Sequence, residues 1–188
     1  MDQQMDQQQV ALKILKADVS KNSRELSMLL NLSASNVNHP GKNHLIELLD
    51  HFYHTGPNGT HLCLVLPVMI SDGEAMTTSG IPHEVGYVRA ISRQVLLGLD
   101  FLHQSGIVHC DLQPANIMLS VTGTTNIEDF LQPPEFSPVK WLEGTMEDDS
   151  APRYLMPTQR RRGLLDNAHF STLELNGFDS ATSNPQHH

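Results

Sequence analysis

The chain has little cysteine and no long apolar run, and both absences narrow what it can be. Cys63 and Cys110 are its two cysteines, too far apart in sequence to form a metal-type pair. The sequence shows no secretory leader and nothing close to the ~18 consecutive apolar residues of a membrane helix, so the expectation is a soluble chain in a reducing, intracellular compartment. Basic residues are also scarce, with 12 Lys and Arg against 21 Asp and Glu and a formal charge of −9. That balance would favour a basic partner over nucleic acid or an anionic membrane, although an ordinary acidic surface is the simpler account of it. Apolar residues make up 39% of the chain, below the roughly 45–50% of an average globular protein, so part of it should lie outside any core. No internal repeat is visible.

Within the 188 residues there is room for one domain with a real core, and composition divides the chain into four parts. Residues 1–9, "MDQQMDQQQ", read as a disordered polar lead-in or the start of a strand's flank. Residues 10–120 have a globular pattern. Residues 121–169 carry Pro133, Pro134, Pro138, Pro152 and Pro157, an acidic group at Glu143, Glu147, Asp148 and Asp149, and the run Arg160–Arg162. This stretch reads as a long irregular insertion, and the arginines as a solvated basic run. Residues 170–188 begin as a strand, "FSTLEL", and end in a polar tail with no core signal.

Periodicity supplies the elements of the globular part. "VALKILK" (10–16) alternates as a strand does, and "NSRELSMLLNLSA" places Leu26, Leu29 and Leu30 at helical spacing. "HLIELLDHFYH" and "THLCLVLPVM" flank the turn "TGPNG", so two strands are expected, followed by a connector marked by Pro67 and Gly73. Between Pro82 and Gln104, the residues Val85, Val88, Val95, Leu96, Leu99 and Leu102 form one apolar stripe of a long helix. "NIMLS" (116–120) reads as a buried strand.

Between that helix and that strand lies "GIVHCDLQPANIML", residues 106–119. It sets His109, Asp111 and Asn116 on one short irregular segment. Taken alone, Asp111 and Asn116 could be turn formers whose side chains satisfy nearby backbone groups. Lys13 could be a snorkelling edge lysine and Glu25 a solvated helix residue, but their placement on a consecutive strand and helix favours a pair.

The motif and its setting resemble the eukaryotic protein kinase domain. "HCDLQPAN" is similar to the catalytic loop H-R-D-L-x-x-x-N, and "VALK" to the V-A-I-K strand. "HPGKNHLIELLDHFYHTGPNGTHLCLVL", "RQVLLGLDFLH" and "APRYLMPTQRRRGLLDNAHFSTLEL" more narrowly resemble the fungal branch of serine/arginine-rich protein kinases, whose members carry a long insertion at this point. The resemblance covers residues 10 to about 175. It implies an α+β, protein kinase-like fold that is partial: an incomplete small-lobe sheet with its helix, a long large-lobe helix and the catalytic loop.

The resemblance also implies roles. Asp111 would orient the substrate hydroxyl and accept its proton, and Asn116 would hold Mg²⁺. Lys13 would grip the α- and β-phosphates of ATP with Glu25 as its ion-pair partner, and Leu66, Pro67, Val68 and Met69 would form the hinge that binds adenine. His109 would brace the loop by packing and hydrogen bonding. Cys110, in the place of the usual arginine, reads as a small semi-buried filler. Counting along the chain puts Asp179 at the position of the family's metal-binding aspartate, although Ser180 and Ala181 lack the expected glycine.

Departures from the family pattern set further expectations. No glycine precedes Gly41 and nine residues precede Val10, which leaves no room for the first two strands and the phosphate-covering loop. Gln113 replaces a lysine common in kinases near the transferred phosphate. No activation loop follows Asp179, so the chain reads as truncated at both ends. The resemblance implies a serine/threonine kinase of cytoplasm or nucleus acting on Arg/Ser-rich protein substrates, impaired or inactive in this form. A pseudokinase-like fragment that binds a protein partner and a small-molecule phosphotransferase with the same loop are the alternatives, and neither nucleic acid nor a membrane is expected as a direct partner.

Overall fold

The structure is a computed structural model that describes residues 9–78, 80, 82–121, 133–146, 149, 151–157 and 170–183, the last stretch and Val121 partly through the backbone alone. The lead-in and the arginine run at 160–162 lie outside the described residues.

Strand β1 (Ala11–Ile14) runs antiparallel to β3 (Gly59–Leu66), which forms a hairpin with β2 (Asp50–Gly56), giving the order β1-β3-β2. The short helix α1 (Ala17–Ser20) is locked to this sheet by Ser20, whose hydroxyl donates to the Lys16 carbonyl at 2.7 Å and accepts the Leu62 N–H at 2.9 Å. Helix α2 (Arg24–Ala34) starts where Ser23 accepts the Leu26 N–H, satisfying one of the free donors at its N-terminus. Its buried residues are Glu25, Met28, Leu29 and Leu32, a single stripe at i, i+3, i+4 and i+7. A carboxylate therefore occupies a core-facing position.

A 3-10 turn at Pro40–His44 leads into β2 and lies against the long helix α4 (Val85–Gln104). The approach is close enough that a Cβ on Gly41 would sit 1.8 Å from the Leu97 carbonyl oxygen, so only glycine fits there. After β3 the chain passes into β4 (Ser71–Asp72) and α3 (Gly73–Thr77), where the pattern suggested a plain connector. Asp72 caps α3 by accepting the Ala75 N–H at 2.8 Å.

Helix α4 begins at Val85, three residues later than the apolar pattern and Pro82 suggested. Its stripe is buried at one end: Phe101 and Leu102 are fully buried, whereas Val85 and Leu96 are 71% and 65% exposed. Beyond it, β5 (Ile107–Val108) pairs with β10 (Thr182–Ser183), and β6 (Ile117–Val121) is the centre of a sheet ordered β4-β6-β9, with β9 at Phe170–Leu175.

Two expectations change here. The residues after β9 are not a tail outside the core, because Phe178 is fully buried, Ala181 nearly so, and β10 joins a sheet. Burial of a side chain the size of Phe178 contributes roughly 1.5–3 kcal/mol, which outweighs the polar character of its neighbours. The described part of the insertion holds a two-stranded ladder of β7 (Ser137–Pro138) and β8 (Tyr154–Leu155) with Phe136 edge-on to Tyr154.

Candidate catalytic cleft

Lys13 is on β1, opposite Leu64, and its side chain turns towards α2. Its ammonium donates to Glu25 Oε1 at 2.7 Å. Glu25 is 2% exposed and Lys13 41%, so the cation tethers a carboxylate that the helix has carried into the core. A buried carboxylate without such a partner is costly, and the bond therefore fixes α2 against β1.

The second group of residues begins where α4 ends. Gly106, at φ 71°, turns the chain out of the helix into β5, and Cys110, at φ 63°, is a non-glycine residue in left-handed backbone immediately before Asp111. Cys110 is exposed, not semi-buried; its thiol touches the Val108 carbonyl and Thr182 Oγ1 at 3.5 Å each. His109 is buried. Its Nδ1 accepts the Asp111 N–H at 3.3 Å, which leaves Nε2 carrying the proton that it donates to the Asn176 carbonyl at 2.8 Å. Its ring also lies 5.3 Å from that of Phe178.

Asp111 is surrounded by donors. Gln113 Nε2 reaches its Oδ2 at 2.9 Å, and Asn116 Nδ2 reaches the same oxygen at 2.9 Å and the Asp111 backbone carbonyl at 2.8 Å. The 3-10 turn Pro114–Asn116 brings the two side chains together, and the Asn116 carbonyl accepts the Asn176 N–H at 3.0 Å. Directly against the Asn116 side chain is Gly177, in left-handed backbone at φ 85°, ψ 46°. A Cβ there would fall 2.6 Å from Asn116 Cγ and 2.7 Å from both its amide atoms. The side chain of Asp179, the expected metal ligand, lies outside the described residues; its backbone is in the turn Phe178–Ser180, two positions past the residue that faces Asn116.

Two sets of contacts thus form, Lys13 with Glu25 and Asp111 with His109, Gln113 and Asn116. No hydrogen bond or ion pair among the described residues joins them directly. Helix α2 connects them through packing, since it bears Glu25 and rests on the turn Phe178–Ser180. Of the expected hinge, Leu66 is buried at the end of β3 and Pro67, Val68 and Met69 are half-buried, with Met69 against the core. A cavity of about 510 Å³ opens beside Lys13 and Glu25, and Asp111 is not among its walls.

Glu174 on β9 has a strongly perturbed proton affinity. Burial, and then the nearby charge of Glu47, push its pKa up to about 7 from an ordinary 4.5. Its Oε2 is buried without a hydrogen-bond partner among the described residues, beside a cavity of about 360 Å³ lined in part by Leu29, Leu32, Phe101 and Glu47.

A family model described as the protein kinase domain matches residues 2–138. The chain belongs to the protein kinase family. Among relatives, protein kinase dsk1 of Schizosaccharomyces pombe is 38% identical over 122 residues, covering 60% of this chain and 22% of the relative. Serine/threonine-protein kinase SKY1 of Saccharomyces cerevisiae is 39% identical over 97 residues, which is 49% of this chain and 13% of that one. SRSF protein kinase 3 of Homo sapiens is 35% identical over 123 residues, 60% of this chain and 21% of that kinase. The kinase chain therefore spans about a fifth or less of the length of these relatives. Membership brings a partial kinase fold of mixed helix and strand, and ATP with a divalent cation are the general cofactors of the family.

Among the described side chains, the donors around Asn116 do not complete a site for a divalent cation. Such a site needs several oxygen ligands, and here Asn116 presents its amide N–H group to Asp111 while the neighbouring backbone position, Gly177, has no side chain. No group of three or more His, Cys, Asp or Glu that could hold a metal occurs among the described residues. Sequence reading missed Gly177 and Phe178 because it searched the tail for a carboxylate. The legible signal was the alternation of Leu173 and Leu175 ending in Asn176-Gly177-Phe178. No helix among the described residues is long and apolar enough to cross a membrane.

Proposed function

We propose that this chain builds the nucleotide- and hydroxyl-facing groups of a serine/threonine kinase directed at Arg/Ser-rich proteins in the cytoplasm or nucleus, and that residues 1–188 alone are catalytically silent. The observation that carries the first half is the Lys13–Glu25 ion pair, formed at 2.7 Å across β1 and α2. That pair must be in place in a working kinase. Lys13 would meet the α- and β-phosphates of ATP, the backbone of Leu66, Val68 and Met69 would face adenine, and Pro67 would add only a carbonyl because it lacks an N–H. Asp111, held by Gln113 and Asn116, would orient a substrate hydroxyl and take its proton. The names of the relatives support Arg/Ser-rich substrates, and the net charge of −9 suits a basic partner.

Silence follows from positioning. Phosphoryl transfer rests almost wholly on holding phosphates and hydroxyl in line and neutralising charge. With the cation ligands incomplete, Asp111 has nothing to act on. The test is phosphorylation of an Arg/Ser-repeat peptide by residues 1–188, for which no turnover is expected. Turnover that Asp111→Asn removes would overturn the silent reading. A second reading, a kinase-fold protein that acts by binding a partner, is favoured by the exposed Val85, Val88 and Leu96 on α4.

A further inference from the structure

We infer that Gly177 occupies the place of the metal-binding carboxylate, that Asp179 does not replace it, and that this chain by itself therefore holds no divalent cation at that place. The inference rests on the nucleotide-facing reading above and assigns the loss of the cation to one backbone position. Five contacts fix that position. Leu175 pairs with Ile117 across β6 and β9, the Asn176 N–H donates to the Asn116 carbonyl at 3.0 Å, and the Asn176 carbonyl accepts from His109 at 2.8 Å. On the far side, Phe178 is fully buried against His109, and Thr182 pairs with Val108.

Bringing the backbone of Asp179 to the position that faces Asn116 would require the chain to slide by two residues. Such a slide preserves the inward and outward alternation of β9, but it draws Leu175 out of its pairing and Phe178 out of the core, and it breaks both bonds of Asn176. The segment therefore reads Gly-Phe-Asp where a carboxylate would have to come first. Backbone geometry does not forbid the missing residue: φ 85°, ψ 46° is left-handed, a region in which aspartate is among the better tolerated side chains. What stands in its way is the Asn116 amide, which is folded onto Asp111 and fills the space a Cβ would need. Gly177 and the inward fold of Asn116 are two sides of one packing arrangement.

Paramagnetic resonance of Mn²⁺, titrated with residues 1–188, reads the cation directly. The native chain and Asp179→Ala should leave the free Mn²⁺ signal equally unchanged. Gly177→Asp, and the exchange Gly177→Asp with Asp179→Gly, should displace Asn116 and quench that signal. Native-chain quenching that Asp179→Ala abolishes would overturn the inference, and this comparison holds even if the Gly177 variants do not fold. Failure of folded Gly177→Asp, verified by circular dichroism, to bind Mn²⁺ would overturn it too. ATP binding in EDTA, compared with Lys13→Met, reports separately on the nucleotide-facing reading: loss of binding in Lys13→Met supports that reading, and equal binding by both sinks it without touching the cation result.

Discussion

His109 Nε2 and the Asn176 carbonyl oxygen meet at 2.8 Å across 67 positions of sequence, joining the segment that bears Asp111 to the end of β9. Because the same ring lies against Phe178, this one histidine aligns the two backbones that flank Asn116. His109→Ala leaves a buried carbonyl unpaired and a hole beside Phe178, for an expected loss of about 2–4 kcal/mol in chemical denaturation. His109→Gln, which restores a donor, should recover part of it. Equal stability of all three proteins would show that the ring does not link the segments.

Lys13→Met strands the Glu25 carboxylate in the core. Since Lys13 itself is partly exposed, the expected cost is about 2–3 kcal/mol, below the usual range for a fully buried pair. Adding Glu25→Gln should return most of that stability. A double-mutant cycle measures the coupling, and additive effects of the two changes would contradict the ion pair.

Glu174 makes stability fall with rising pH. Its pKa is about 7 in the folded chain against an ordinary 4.5, so between those values the folded state binds a proton that the unfolded state has released. Stability should be highest below pH ~4.5, decline through pH ~7 and level off above it as far as this group is concerned. The full shift corresponds to ~3 kcal/mol, which solvent screening at a half-buried side chain reduces to about 1 kcal/mol. Glu174→Gln should raise the Tm at pH 8 and leave it unchanged at pH 4; a gain at pH 4 would point to packing and not to charge.

Phe178→Ala empties a fully buried site and should cost about 3–5 kcal/mol, releasing β10 from β5 in the process. Leu112→Ala, at a position 48% exposed on the same loop as Asp111, should stay within ~0.5 kcal/mol. Thermal unfolding of the pair checks both. Comparable melting of native chain and Phe178→Ala would mean that the segment after Leu175 is not part of the core.

The sequence made the backbone elements before Ser120 readable because they bury one face and solvate the other. The helical spacing of Leu26 and Leu29 and the alternation of β1 leave a period that needs no neighbours to interpret, although Leu30, counted in the same spacing, is 43% exposed. The same periodicity placed Lys13 and Glu25 on a strand and helix that do bring them together. Helix α3 escaped notice because five residues cannot show a period, and its only local mark is the cap at Asp72. The last segment was misread for a different reason. Phe178 is a single apolar residue among polar ones, and its burial is decided by His109 and α2, far away in sequence. Gly177 was invisible for the same reason, since what matters there is the Asn116 amide pressed against it.

Helix α4 is held along only part of its length. Over 20 residues it extends about 30 Å, yet the fully buried side chains, Phe101 and Leu102, lie near its C-terminal end, where Gly98 also approaches the His44 carbonyl. The other half keeps its backbone hydrogen bonds with few tertiary contacts behind them. Amide protons near Val88 should therefore trade with solvent through small local openings, whereas those near Phe101 should wait for the whole domain to come apart. His109 and Asp111 leave the helix from its anchored end, so the far turns can fray and re-form while the loop that carries Asp111 keeps its shape.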